Sequence, residues 1–291
     1  MAIIRASAID MHVHTTASDG ICSPTEMVAM AAQLGLAGVA ITDHDTTAGV
    51  QEAQLAASQY QIKLLPGIEI STVADGQDIH VLGYFTNNDD ELWQSRLIQL
   101  GATRESRNEM LITKLNELGI VITWQEVVEL AGDSHGSIGR PHFAQVLINR
   151  GYVSSKQEAF DLYLGEHGKA FVQPLRIHPS DAYQWIKEAG GVSVLAHPGI
   201  YHNDRLVEQL LQAGVDGVEV NHSDHTPEQV QYYESLAKRY SLLATTGSDF
   251  HGIDEQGTQI HGHLGSVGAS MDVYDQIYSL HRSRGSLKSG L

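Results

Sequence analysis

The chain has 291 residues, 42% of them hydrophobic and 18% charged, which excludes disordered, collagen-like and coiled-coil chains and leaves room for a sizeable core. Thirty-five Asp and Glu against 18 Lys and Arg give a formal net charge of −17, which excludes a broad surface for nucleic acid or anionic membrane. One cysteine, Cys22, excludes an intrachain disulfide and a Cys-built zinc knuckle, whereas 16 histidines raise the expectation of a metal site.

The N-terminus shows no basic segment followed by an apolar run, and no stretch is apolar for about 18 residues, so a cytoplasmic protein is expected. A strand is expected over residues 8–11. Ser23-Pro24-Thr25-Glu26 then opens a helix with a capping serine, a proline at the first helical position and a glutamate at the third, and Gly35 ends it. A strand over 37–42, a helix over 47–59 and strands over 64–70 and 78–85 follow. From 89 to 190 helical periodicity replaces the alternation, with a long helix over 90–118 and shorter ones over 124–131, 141–150, 156–164 and 179–189. Strands over 192–196, 217–221 and 242–246 then alternate with helices over 204–213, 227–240 and 273–281.

About seven βα units predict an α/β fold with a largely parallel sheet, closed or nearly closed into a barrel. Residues 1–88 and 191–291 would form the barrel and 89–190 an inserted helical domain that caps it. Residues 91–180 hold nine basic and ten acidic residues, half of all the positive charge, so the insertion is where an anion would be gripped. The loop over 254–263, rich in Gly and His, is a candidate cover on composition alone.

Chemistry-bearing residues sit at the expected strands. His12 and His14, two apart, project to the same side of an extended chain. His44 follows the second strand, Glu69 ends the third, His80 lies in the fourth, His197 ends the fifth, and Asp249 and His251 follow the last. Side chains at the C-terminal ends of barrel strands converge on one face, so these residues should meet. With Asp19 they make six histidines and three carboxylates, more than one ion needs, which predicts a multinuclear site in which a carboxylate bridges two cations and a shared water is deprotonated near neutral pH. Three divalent ions would leave that pocket positive enough for a phosphate. Asp10, Asp43 and Asp45 are expected to hold ligand imidazoles or cap helices. A leaving group would take its proton from a metal-bound water or from a nearby histidine, for which His222, after the strand at 217–221, is a candidate. His135, His167, His178, His202, His225, His261, His263 and His281 are expected on the solvated surface.

His12-Val13-His14-Thr15, Ser18-Asp19-Gly20, Thr42-Asp43-His44, Gly67-Ile68-Glu69, His80-x-Leu82-Gly83-Tyr84, Ala196-His197-Pro198 and Ser248-Asp249-Phe250-His251 occur in this order over nearly the whole chain. The set resembles the motifs of the polymerase and histidinol phosphatase (PHP) superfamily. The resemblance implies a distorted (β/α)7 barrel with three divalent metal ions, commonly Mn2+, Fe2+ or Zn2+. It implies one ion on His12, His14, Glu69 and Asp249, a second on Glu69, His80 and His197, and a third on Asp19, His44 and His251. Glu69, Asp19, His44 and His251 are then the catalytic groups. Non-catalytic members lose some of these residues; none is missing here.

The helical insertion resembles the branch that removes the 3′-phosphate from nucleoside 3′,5′-bisphosphates, which also includes 5′-to-3′ exoribonucleases acting on short RNA. In that branch an Arg-x-x-Arg segment and a Gly-Arg segment grip the substrate, implying Arg104 and Arg107, and Arg140 with His142, here. Guanidinium forks suit phosphate oxygens, and Pro141 starts a helix whose N-terminus attracts anions. The implied reaction is phosphomonoester hydrolysis of a small nucleotide such as adenosine 3′,5′-bisphosphate, by in-line attack of a metal-activated hydroxide, with Arg140 neutralising phosphate oxygens. The alternatives are short RNA as substrate, histidinol phosphate as substrate, and a nucleotide- or metal-binding module without turnover.

Overall fold

The structure, a computed structural model, describes residues 8–131, 138–165, 167–172, 176–253 and 261–288. Most of the candidate cover loop, residues 254–260, and His135 lie outside them. The strands are β1 (Ala8–Asp10), β2 (Gly38–Ile41), β3 (Lys63–Ala74), β4 (Gln77–Tyr84), β5 (Val192–Leu195), β6 (Gly217–His222), β7 (Leu243–Gly247) and β8 (Ala269–Ser270). They form one sheet in the order β7-β6-β5-β4-β3-β2-β1-β8. Beyond β1 the chain stays extended and bonds to the chain around the end of β7, through Met11 N–H to Thr246 O (3.2 Å), Asp249 N–H to His12 O (2.8 Å) and His14 N–H to Phe250 O (2.9 Å). These bonds bring the two ends of the sheet together into a nearly closed barrel and set His12, His14 and Asp249 side by side.

The parallel order breaks at β4, which runs antiparallel to both β3 and β5. The cause is local. Asp75 and Gly76 both take positive φ (49° and 81°), the backbone of a two-residue hairpin turn, so β3 returns directly as β4 with no crossover helix. Ser71 therefore pairs with His80, and the N-terminal half of β4 is the half that reaches the metal-ligand cluster.

The helices are α1 (Pro24–Gln33), α2 (Val50–Tyr60), α3 (Glu91–Glu117), α4 (Trp124–Ala131), α5 (Arg140–Asn149), α6 (Lys156–Ala159), α7 (Pro179–Glu188), α8 (Asp204–Gln212), α9 (Pro227–Tyr240) and α10 (Met271–Lys288). Ser23 caps α1 as expected, its hydroxyl accepting from Glu26 N–H while the Glu26 carboxylate accepts from Ser23 N–H. The helix expected over 156–164 changes after α6 into a π-helical turn, closed by Gly165 N–H to Phe160 O.

Ile9, Met11, Leu65, Leu82, Tyr84 and Val194 belong to one apolar cluster of the barrel strands. The helices between β4 and β5 pack in two ways. Trp93 and Leu100 of α3 and Tyr183 and Ile186 of α7 join a cluster built on β3 to β6. Leu111, Leu115, Val127, Phe143, Leu147 and Leu164 make a core of their own. The segment expected as one insertion is thus continuous in sequence but shared between two cores.

Candidate metal centre

All nine residues expected as ligands meet at one end of the barrel. Glu69 is their hub: its Oε2 lies 3.4 Å from His12 Nε2, 3.1 Å from His14 Nε2 and 3.0 Å from His44 Nδ1. Its Oε1 lies 2.8 Å from His80 Nδ1 and 3.0 Å from His197 Nε2. Asp249 Oδ1 faces His12 and His14 at 3.4 and 3.1 Å. Asp19 Oδ1 is 3.5 Å from His251 Nε2, and its Oδ2 is 3.9 Å from His44 Nε2. His197 and Asp249, each two residues past the end of its strand, are held at positive φ (24° and 55°), a strained backbone that sets the direction of their side chains.

The donor set fits divalent cations. Ligand atoms of His12, His14, Glu69 and Asp249 lie within 4.8 Å of one another, as do those of His14, Asp19, His44 and His251, and those of His44, Glu69 and His80. Asp19 Oδ1, Glu69 Oε2 and Asp249 Oδ1 are buried without a hydrogen bond of ordinary geometry, although imidazole nitrogens surround them. Such atoms are costly to bury unless a cation meets them.

The charges say the same. Burial alone would raise the pKa of Asp19, Glu69 and Asp249, but the facing histidines outweigh it and hold all three well below the carboxylate range. Burial would lower His14, yet Asp249 and Glu69 raise it to about 10. The cluster demands positive charge, as protons or as metal.

Neighbouring groups fix the imidazoles. Glu219, buried in β6 and unmarked in the sequence, accepts from His12 Nδ1 at 3.2 Å and from His197 N–H at 2.8 Å, which leaves His12 Nε2 for a metal. His251 Nδ1–H donates to Asp249 O at 2.8 Å, turning its Nε2 toward Asp19. Asp10, Asp43 and Asp45 do not hold imidazoles as expected. Asp10 accepts from the backbone N–H groups of His12, Ser248 and Gly265. Asp43 ties down the loop after β1 through Thr15 and Ser18. Asp45 accepts from Ser71 N–H and from Arg104.

His222 is 1% exposed; its Nδ1 accepts from Asp224 N–H, and its Nε2 faces Asp249 Oδ2 at 3.5 Å. It is placed to hold Asp249 rather than to meet a leaving group. Three histidines expected on the surface are also built in. His225 bonds Gly199 N–H and Val220 O, His281 stacks on Phe85, and His261 lies between Asp224 and Asp249. Spacing offered no signal for these, because most of their partners lie far away in the sequence.

Beside the centre stand four arginines. Arg104 bonds Asp45 Oδ2 at 3.0 and 2.5 Å and Ser71 Oγ at 3.0 Å. Arg140 and Arg176 share Asp78, at 2.7 and 2.9 Å, and hold its carboxyl well below its usual range against the effect of burial. Arg107, 3% exposed, bonds Asn108 Oδ1 and Ile138 O, with no carboxylate within 4.0 Å among the described residues. Burial, then the charges of Arg104, Arg176 and Arg140, pull its pKa down, so an anion there would be welcome. His142 Nδ1 accepts from Gly139 N–H at 3.1 Å and so caps α5. A Cβ on Gly139 would sit 2.9 Å from Asp19 Oδ2 and 3.4 Å from Arg104 Nη1, so this backbone joins the cation cluster to the carboxylate centre. Arg176, before α7, belongs to no motif and was missed in the sequence.

A groove of about 930 Å3 opens from Asp45 and Arg104 between α2 and α3, walled by Leu55, Leu97, Ile98 and Trp124. Among the described residues that line it, Asp45, Asp89 and Glu105 stand against one cation, Arg104.

A strained-backbone barrel end carrying this many buried His, Asp and Glu side chains defines a metal-binding α/β barrel. The sequence profile of the PHP domain matches residues 10–172. A 5′-3′ exoribonuclease of Haemophilus influenzae is 36% identical over 247 residues, covering 83% of this chain and 89% of that protein. A 3′,5′-nucleoside bisphosphate phosphatase of Chromobacterium violaceum is 33% identical over 260 residues, covering 88% and 90%. The crystal structure of a protein described as a metal-dependent phosphoesterase from Bifidobacterium adolescentis superposes with a TM-score of 0.85 at 33% identity, covering 94% of this chain and 96% of the other. The chain belongs to the PHP family.

Proposed function

We propose that the protein removes the 3′-phosphate from nucleoside 3′,5′-bisphosphates at a centre of three divalent cations, Mn2+ first and Fe2+ or Zn2+ as alternatives. The coarse class is plain: a PHP-family hydrolase acting on phosphate esters, with His, Asp and Glu clusters able to hold divalent metals. The observation that carries the finer reading is the cation cluster beside those ligands, in which Arg107 is buried with no carboxylate within 4.0 Å among the described residues.

In this reading His12, His14, Glu69 and Asp249 hold one ion, Glu69, His80 and His197 a second, and Asp19, His44 and His251 the third. Bound divalent cations supply Lewis acidity to the phosphate and acidify water near neutral pH. The chain's own work is to place and neutralise. Glu69 would be shared between two of the ions, and Asp19, His44 and His251 would hold the third on the side where the phosphate binds. Arg107 takes a phosphate directly. Arg104, Arg140 and His142 join it when substrate competes with Asp45 and Asp78 for their donors. The helices between β4 and β5 act as a substrate-gripping cap.

The groove favours a second reading, 5′-to-3′ exonuclease action on short RNA, because about 930 Å3 exceeds one nucleotide. Its acidic lining limits such a track to few phosphates. No helix among the described residues is long and apolar enough to cross a membrane, and the proposed location is the cytoplasm.

The test is phosphate release by Mn2+-loaded protein from adenosine 3′,5′-bisphosphate, 5′-AMP, histidinol phosphate and a short 5′-phosphorylated RNA in one assay. Preferred release from the bisphosphate is expected; preference for histidinol phosphate, or for degrading the RNA, would replace this reading.

A further inference from the structure

We propose that His261, oriented by Asp224, is a tenth ligand of the metal centre, on the side where Asp249 and His251 stand. The inference rests on the metal-centre reading above. It starts from a tautomer. Asp224 Oδ2 lies 2.6 Å from His261 Nδ1, and a carboxylate at that distance accepts, so Nδ1 carries the hydrogen and Nε2 is turned inward. This is the carboxylate–imidazole arrangement that orients histidines toward metals elsewhere in chemistry of this kind.

Where Nε2 points is the second observation. It faces Asp249 Oδ2 at 3.4 Å, and the His261 and His251 rings are 5.4 Å apart. Ligand atoms of Asp249, His251 and His261 lie within 4.8 Å of one another, close to the spread that bonds of about 2.0–2.2 Å allow around one ion. Asp249 is two-faced. Its Oδ1 serves His12 and His14, while its Oδ2 meets His222 and His261. His222, whose Nδ1 accepts from Asp224 N–H, keeps its hydrogen on Nε2, which lies 3.5 Å from that second oxygen. Two electron-pair donors facing each other are reconciled by a cation between them.

The experiment titrates Co2+ and Mn2+ into metal-free full-length protein, comparing wild type, His261→Asn and Asp224→Asn by calorimetry, bound-metal analysis and the Co2+ visible spectrum. His261→Asn should weaken one of three equivalents by tenfold or more and change the Co2+ bands, leaving the other two; Asp224→Asn should weaken the same equivalent. Unfolding curves of the metal-free proteins show whether the variants fold. Three equivalents with unchanged affinities and spectrum in folded His261→Asn would overturn the proposal while the centre stands. No binding by wild type would overturn the centre itself.

Discussion

Glu69 touches five imidazoles with two oxygens, which makes it the residue whose charge the centre can least spare. Glu69→Gln keeps the shape and removes the bridging charge; phosphate release is expected to fall below a few per cent of wild type, and retained turnover would exclude a bridging role. Glu219→Gln should act at one remove. Its amide can no longer both accept from His12 Nδ1–H and from His197 N–H, so metal affinity should fall roughly 10- to 100-fold while the fold persists, as a calorimetric titration would record. The nine candidate ligands could be picked out in the sequence because each lies in a short motif, most of them at or just past the end of an apolar run. Glu219, Asp224, Arg176 and His261 could not, since their significance comes only from atoms contributed by other strands and loops.

At the scale of elements, two glycines separate what builds the barrel from what builds the site. Gly76 has φ +81° and open space around it, so Gly76→Ala should strain only the hairpin backbone, by about 1 kcal/mol, with metal binding intact. Gly247 ends β7 where a Cβ would fall 2.2 Å from His12 Cβ and 2.7 Å from Glu219 Oε1. Gly247→Ala should displace His12 and weaken metal binding out of proportion to its effect on Tm; equal effects of the two substitutions on metal binding would contradict this division. The strand and helix order could be read from apolar periodicity and caps. The direction of β4 was not, although Asp75-Gly76 marks the turn, because the order of strands along the chain does not say which way each one runs in the sheet. The two-core packing of the helices between β4 and β5 was equally invisible, since periodicity shows that a helix has an apolar face but not what covers it.

For the whole molecule, the buried carboxylates and histidines link stability to metal and to pH. In metal-free protein His14 has its pKa raised to about 10, so its protonated form adds stability fully below the unfolded value near 6.5, and this is lost as pH rises toward 10. Metal needs the neutral ring, so it competes with that proton, and the rise in Tm caused by added Mn2+ should grow between pH 6.5 and 9. At a free concentration 100 times its Kd one bound ion would add about 2.7 kcal/mol. A metal-induced rise in Tm that shrinks with increasing pH would contradict this linkage. The net charge of −17 poses no obstacle to an anionic substrate once three divalent cations fill the centre, because Asp19, Glu69 and Asp249 would then be outnumbered.

The most direct measurement follows phosphate release from adenosine 3′,5′-bisphosphate as Mn2+ is titrated into metal-free protein. Release should appear only as the centre fills and saturate at three equivalents per chain. Full release at one equivalent, or release without metal, would contradict hydrolysis at a three-cation centre.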